Sequence, residues 1–198
     1  MAYTLSKTVI IRGVGIHSGE PVVMTIEPSN GPGIIFQYNN SQITVNIESI
    51  GINNIRATSL TNNIETIHTP EHFLAACFSL ELTNILVTLS APEVPILDGS
   101  AIGFIDAMQL HRVAIDDIRN KLIIKEKIKF NDAGSSYIAI PSDTFSIEAT
   151  ISYPDHWINT MTFQYQHSMD RFTIDIAPAR TYGFIEEIEY LKKNNLAK

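Results

Sequence analysis

The sequence predicts an α+β protein in two successive units, and three observations lead there. Short runs rich in Val, Ile, Phe and Tyr, bounded by Gly, Pro and Asn, open the chain and read as strands. At Pro70 the apolar spacing changes from strand-like to helical. A polar stretch, Asp116 to Lys121, then reads as a linker before a second β-rich part. The expected division is therefore 1–117 and 118–198.

Taken in order, Thr8 to Arg12, Val22 to Glu27 and Gly33 to Tyr38 are expected to form an antiparallel meander. A further strand around Ile43 to Ile47 precedes a turn at Asn62-Asn63, after which Ile64 to Ile67 is extended. From Pro70 to Leu80, Phe73, Leu74, Ala76, Cys77 and Leu80 recur at helical spacing, with Thr69 as N-cap and Pro70 as first helical residue. Asn84 to Ser90 is a strand, and Ala91 to Ser100 is a loop punctuated by Pro92, Pro95 and Gly99. A second helix covers Ala101 to Leu110, its face made by Ile102, Ile105, Ala107 and Met108. In the second part, Leu122 to Phe130, Tyr137 to Ile140 and Phe145 to Tyr153 are strand-like. Tyr182 to Leu191 is helical, with no partner for its apolar face in the residues that follow.

Composition narrows the classes. Hydrophobic residues at 44% against 18% charged give enough apolar surface for a core, which excludes disorder. A net charge of -7 excludes broad contact with a nucleic-acid backbone. The single cysteine, Cys77, cannot form an internal disulfide, and its apolar neighbours suggest burial. The first residues lack the apolar core of a secretory signal, and no apolar run reaches the about 20 residues that cross a bilayer. A soluble, cytoplasmic protein without a transmembrane segment is expected.

His68-Thr69-Pro70-Glu71-His72 is the most informative string. It matches His-x-x-Glu-His, the inverted zincin pattern, in which two His one helical turn apart hold zinc beside a Glu base. That pattern needs both His on one helix face, whereas Pro70 disfavours helix at the residue before it and leaves His68 outside. Glu71 and His72, adjacent in the first turn, can still bring a base and a metal ligand to one mouth. The plain alternative is that Glu71 favours the positive helix end while His72 packs.

Gly13-Val14-Gly15-Ile16-His17-Ser18-Gly19 invites a nucleotide-loop reading, but Ser18 stands at the third glycine and a strand follows where a helix belongs. A glycine-rich hairpin fits better. Pro95-Ile96-Leu97-Asp98-Gly99-Ser100 places two capping residues before a helix. Ala179-Arg180-Thr181-Tyr182-Gly183-Phe184 sets a hydroxyl between a cation and an aromatic, where an oxyanion can be stabilised.

Together and in order, these strings resemble the successive signatures of the UDP-3-O-acyl-N-acetylglucosamine deacetylases of lipid A biosynthesis. The resemblance implies two α+β domains, each a mainly antiparallel sheet backed by helices, in a two-domain sandwich. It implies one Zn2+ that activates water to attack the acetamide of the nucleotide sugar, releasing acetate and a free amine. His72 would be a zinc ligand, Glu71 the general base, and Thr181 the oxyanion donor. Tyr182 and Glu187 would contact substrate. The family also draws two zinc ligands from a His-x-x-x-Asp helix and a proton donor from a later His, yet no His follows His167 here. His68 stands where many relatives have Ser. The chain is thus expected to be a fragment, its second domain incomplete and its activity alone absent. A non-catalytic binding module for acylated nucleotide sugar and an inverted zincin peptidase are the alternatives.

Overall fold

A computed structural model describes residues 2–52, 57–117 and 122–193, and is mixed α+β. These residues divide into two compact units, one of 1–119 with 172–198 and the other of 120–171. The division expected from the sequence has one boundary, after 117. The C-terminal side differs: 172–198 groups with the first unit instead of the second, because Ala101 N donates to Ala177 O at 3.0 Å and Thr181 N to Gly99 O at 2.9 Å. The expected linker residues 118–121, and Arg56 ahead of the Ala57–Leu60 stretch, lie outside the described residues.

The first unit is built on five strands: β2 (Val9–Val14), β3 (Pro21–Pro28), β8 (Asn84–Leu89), β4 (Gly33–Tyr38) and β5 (Ser41–Thr44), side by side in that order. Simple alternation makes the strands amphipathic. In β3, Val22, Met24 and Ile26 are buried while Val23, Thr25 and Glu27 are half-buried. The expected β2-β3-β4 meander is opened, since β8 inserts between β3 and β4, antiparallel to the first and parallel to the second. The cause lies in β8 itself: Ile85, Val87 and Leu89 are all buried, and a strand this apolar belongs at the sheet centre.

Flanking this sheet are two short pairs, β1 (Ala2–Leu5) with β9 (Arg112–Ile115), and β6 (Ser59–Thr61) with β7 (Thr66–His68). The β1–β9 pair is locked by Arg112, whose guanidinium lies 3.2 Å from the Tyr3 ring centroid and bonds Glu81 at 2.9 Å. Two helices pack against each other, α1 (Glu71–Ser79) and α2 (Ile102–Met108). Phe73 of α1 lies edge-on to Phe36 of β4 at 5.8 Å and to Phe104 of α2 at 5.7 Å, all three fully buried. Cys77 is buried beside them, and that burial pushes its thiol pKa up.

The unit of 120–171 consists of two hairpins, β10 (Ile128–Asp132) with β11 (Ser135–Ala139) and β12 (Ser146–Tyr153) with β13 (Asn159–Gln166). The strand expected from Leu122 begins only at Ile128, after the charged Lys125-Glu126-Lys127. The Ala133-Gly134 turn has positive φ at both residues, 45° and 82°, as the twist of a two-residue hairpin requires. In the longer hairpin Ile147, Ala149 and Ile151 face Tyr165, Phe163 and Met161 across the pair, giving one apolar face and one of Ser, Thr, Gln and Glu. Past β13 come α3 (Met169–Arg171) and a π-helical turn at Phe172–Ile176. The helix expected over Tyr182–Leu191 is shorter, a 3-10 turn at Ile185–Glu187 running into α4 (Ile188–Lys193).

Candidate active site

Helix α1 opens on Glu71, but not by the expected cap. Pro70 already has helical torsions, φ -80° and ψ -8°, and no side chain caps the helix. Thr69 makes the turn, at φ +57°. That left-handed conformation is unusual for a β-branched residue and costs about 1–3 kcal/mol. Its hydroxyl, expected to cap the helix, donates instead to Glu93 Oε1 at 3.1 Å. His68 is the last residue of β7, exposed, its N–H on Pro92 O at 2.8 Å and its carbonyl on Val94 N at 3.0 Å. It is not one helical turn from His72, so the inverted zincin geometry is absent.

Glu71 and His72 are both half-buried in the first helical turn. Glu71 Oε2 is shielded from solvent and has no hydrogen-bond partner. Such an acceptor is costly to leave alone and suits a proton or a cation.

Glu93, buried to 2% exposure, is the centre of the neighbouring structure. Its carboxylate accepts from the backbone N–H of His17 at 3.0 Å and of Ser18 at 2.8 Å, besides the Thr69 hydroxyl. Burial pushes the carboxyl pKa up, but the Ser18 hydroxyl, the two backbone N–H groups and Thr69 more than offset this and hold it below the ordinary carboxylate range. The glycines of Gly13–Gly19 have a direct cause. A Cβ at Gly15 would stand 2.1 Å from Glu93 Oε2, and one at Gly13 would stand 2.9 Å from the Pro95 Cβ. The loop's inward N–H groups are thus filled by the protein's own carboxylate, which is why it is no phosphate loop.

The segment continuing from Glu93 gathers the remaining strings. Ile96 N donates to Val14 O at 3.0 Å. Asp98 Oδ1 accepts from the Ser100 hydroxyl at 2.7 Å and its N–H at 3.1 Å, and Ser100 Oγ accepts from Ile102 N at 3.3 Å. The expected capping is not what these bonds do, since Ala101 stands at the N-cap of α2 and no side chain caps that helix. The Ser100 hydroxyl, against a little burial and helped by Arg180 at 3.5 Å, holds the Asp98 carboxyl below its ordinary pKa. Thr181 is exposed and meets Gly99, its Cγ2 lying 3.5 Å from where a Cβ there would be. Tyr182 is exposed with its ring 5.9 Å from that of Phe184, and Glu187 Oε2 accepts from Phe184 N at 3.1 Å. Residues 92–101 are therefore the common seam of all the strings. Thr69, which leads into Glu71 and His72, meets it at one end, and Thr181 at the other.

A family profile described as LpxC, UDP-3-O-acyl N-acetylglycosamine deacetylase, matches residues 2–198. The chain belongs to this deacetylase family. It is similar to the UDP-3-O-acyl-N-acetylglucosamine deacetylase of Campylobacter hominis, with 33% identity over 98% of this chain and 67% of the relative. The enzyme of that name from Syntrophotalea carbinolica is 33% identical over 98% and 64%, and that from Pseudomonas entomophila 35% over 98% and 66%. The chain thus spans about two thirds of the length of the curated relatives it matches.

Zinc chemistry in this deacetylase family sets a test for the donors present. Every His, Cys, Asp and Glu of the chain lies among the described residues, and no three of them cluster closely enough to hold a metal ion. Glu71 and His72 offer one carboxylate and one imidazole, short of the three protein ligands that catalytic zinc ordinarily keeps. The donor set on its own does not fit. No helix among the described residues is long and apolar enough to cross a membrane. Sequence reasoning missed Glu93, whose one signal was its place between Pro92 and Pro95 in a segment otherwise apolar.

Proposed function

We propose that the chain carries a share of the site of a cytoplasmic, zinc-dependent deacetylase acting on UDP-3-O-acyl-N-acetylglucosamine in lipid A biosynthesis. The carrying observation is Glu71, half-buried beside His72 with one carboxylate oxygen sealed and unpartnered at the helix opening. Zinc, when bound, supplies Lewis acidity and an activated water. Were the ligand set complete, His72 would be one ligand of the metal, Glu71 would take a proton from water, and the Thr181 hydroxyl would donate to the developing oxyanion. Tyr182 and Glu187 contact the substrate. Hydrolysis breaks the acetamide C–N bond, and acetate and the free amine leave.

The donor shortage favours a second reading of the chain by itself, a module that binds acylated nucleotide sugar without turning it over. One comparison separates the two: deacetylase activity and bound zinc, measured on this chain and on the same chain joined at its C-terminus to the His-x-x-x-Asp helix and later His of a relative. The short chain is expected to hold well under one zinc and to be inactive, and the lengthened one to gain both. Activity in the short chain would mean that ligands come from residues read as structural, His68 first. A lengthened protein that binds the nucleotide sugar and zinc yet stays inactive would leave the binding module.

A further inference from the structure

The carboxylate of Glu93 ties together two segments far apart in sequence. One is the glycine hairpin at His17 and Ser18, gripped through both backbone N–H groups. The other is Thr69, gripped through its hydroxyl while it sits in the left-handed region. Thr69 is the last residue before Pro70 and Glu71, so its torsions set the direction in which α1 starts. A threonine does not keep that conformation without support. Its N–H bonds Thr58 O at 2.9 Å, and its hydroxyl is held by Glu93. Gly15 leaves the room into which the carboxylate fits.

We infer that Glu93 is a positioning residue: it fixes Thr69, and through it the opening of α1 that presents Glu71 and His72, and locks the His17 hairpin to that same opening. The catalytic significance rests on the deacetylase reading above, whereas the positioning itself does not. Glu93 touches no reacting atom; it acts through Thr69 and the hairpin backbone. An amide side chain is a poor substitute, because it turns an NH2 toward groups that are themselves donors.

The test is amide hydrogen exchange, followed residue by residue by NMR on the whole chain, with Glu93→Gln and Gly15→Ala beside wild type. The reporters are His17, Ser18 and Thr69, and Leu74, whose N–H bonds Pro70 O at 2.9 Å across the first turn. The references are the β3–β8 ladder amides around Ile26 and Val87. In Glu93→Gln the exchange of the four reporters is expected to rise at least tenfold more than that of the references, whose own rise reads the global loss of stability. Gly15→Ala makes the decisive comparison. Its new Cβ meets the carboxylate and Ser18, so it should speed Thr69 and Leu74 as Glu93→Gln does. A rise spread evenly over reporters and references marks a merely structural role and overturns the inference. So does a Gly15→Ala effect confined to His17 and Ser18, and this variant decides alone if Glu93→Gln does not fold. Since exchange needs neither zinc nor substrate, an inactive lengthened enzyme with this pattern intact would count against the deacetylase reading only.

Discussion

A carboxylate with one oxygen sealed from water is sensitive to whatever positive centre comes next to it, and Glu71 occupies such a position at the mouth of α1. Its role should separate cleanly from that of His72. In the lengthened protein, Glu71→Ala is expected to lower turnover by about a hundredfold or more while sparing zinc, as loss of a general base does. His72→Ala should instead reduce bound zinc. Metal analysis beside steady-state rates checks this, and equal zinc loss in both variants would mean that the roles are assigned wrongly. Glu93 makes a different prediction, about pH. Its folded-state pKa lies below the unfolded value, so the stability it contributes is present above the ordinary carboxylate value, about 4.3, and is lost as pH falls through the folded one. Glu93→Gln should cost about 1–3 kcal/mol at pH 7 and flatten the acid limb of a melting-temperature profile between pH 7 and 3. An unchanged acid limb would show that Glu93 is not the group titrating there.

At the scale of elements, one side chain of α1 touches both the sheet and the second helix. Phe73 contacts Phe36 on β4 and Phe104 on α2, and all three rings are fully buried. Phe73→Ala should therefore cost about 3–5 kcal/mol in urea unfolding, since a cavity opens where three elements join. Phe73→Leu keeps most of the volume and should lose markedly less. If both variants cost the same, ring geometry rather than cavity volume governs the junction. Phe73 directly follows His72, so this junction also anchors the other side of the helix opening that Thr69 fixes from the loop.

For the whole molecule, the contrast is between a unit with a packed centre and one that is almost all surface. Among the described residues of 120–171, Tyr165 is the buried side chain, while Phe130, Tyr137, Ile147, Ile151, Met161 and Phe163 are each more than two-fifths exposed. Two-stranded hairpins with an open apolar face are marginal in water. Amides in β10 to β13 are thus expected to exchange at least tenfold faster than those of the β3–β8 ladder, and proteases should cut in 120–171 first. Protection there equal to the sheet's would show that the two units open together. The described segment 186–193, with its short helical turns and largely exposed side chains, should behave like the hairpins despite its place in the first unit.

The sequence by itself determined the family, the first helix to within a residue at each end, and the likeness of ordered strings that drew Glu71, His72, Thr181, Tyr182 and Glu187 into one reading. Those are local patterns, and local patterns survive in one dimension. It could not determine that β8 parts β3 from β4, because insertion depends on which strand is most apolar on both faces once all are assembled. Nor could it give Thr69 its true work: capping is a local rule, and here a buried carboxylate 24 positions away outcompetes it for the hydroxyl. Glu93 itself looked like any loop glutamate. Only the folded chain places it under a glycine hairpin, where two backbone N–H groups and a strained threonine converge, and there the low-polarity surroundings make every one of those hydrogen bonds count.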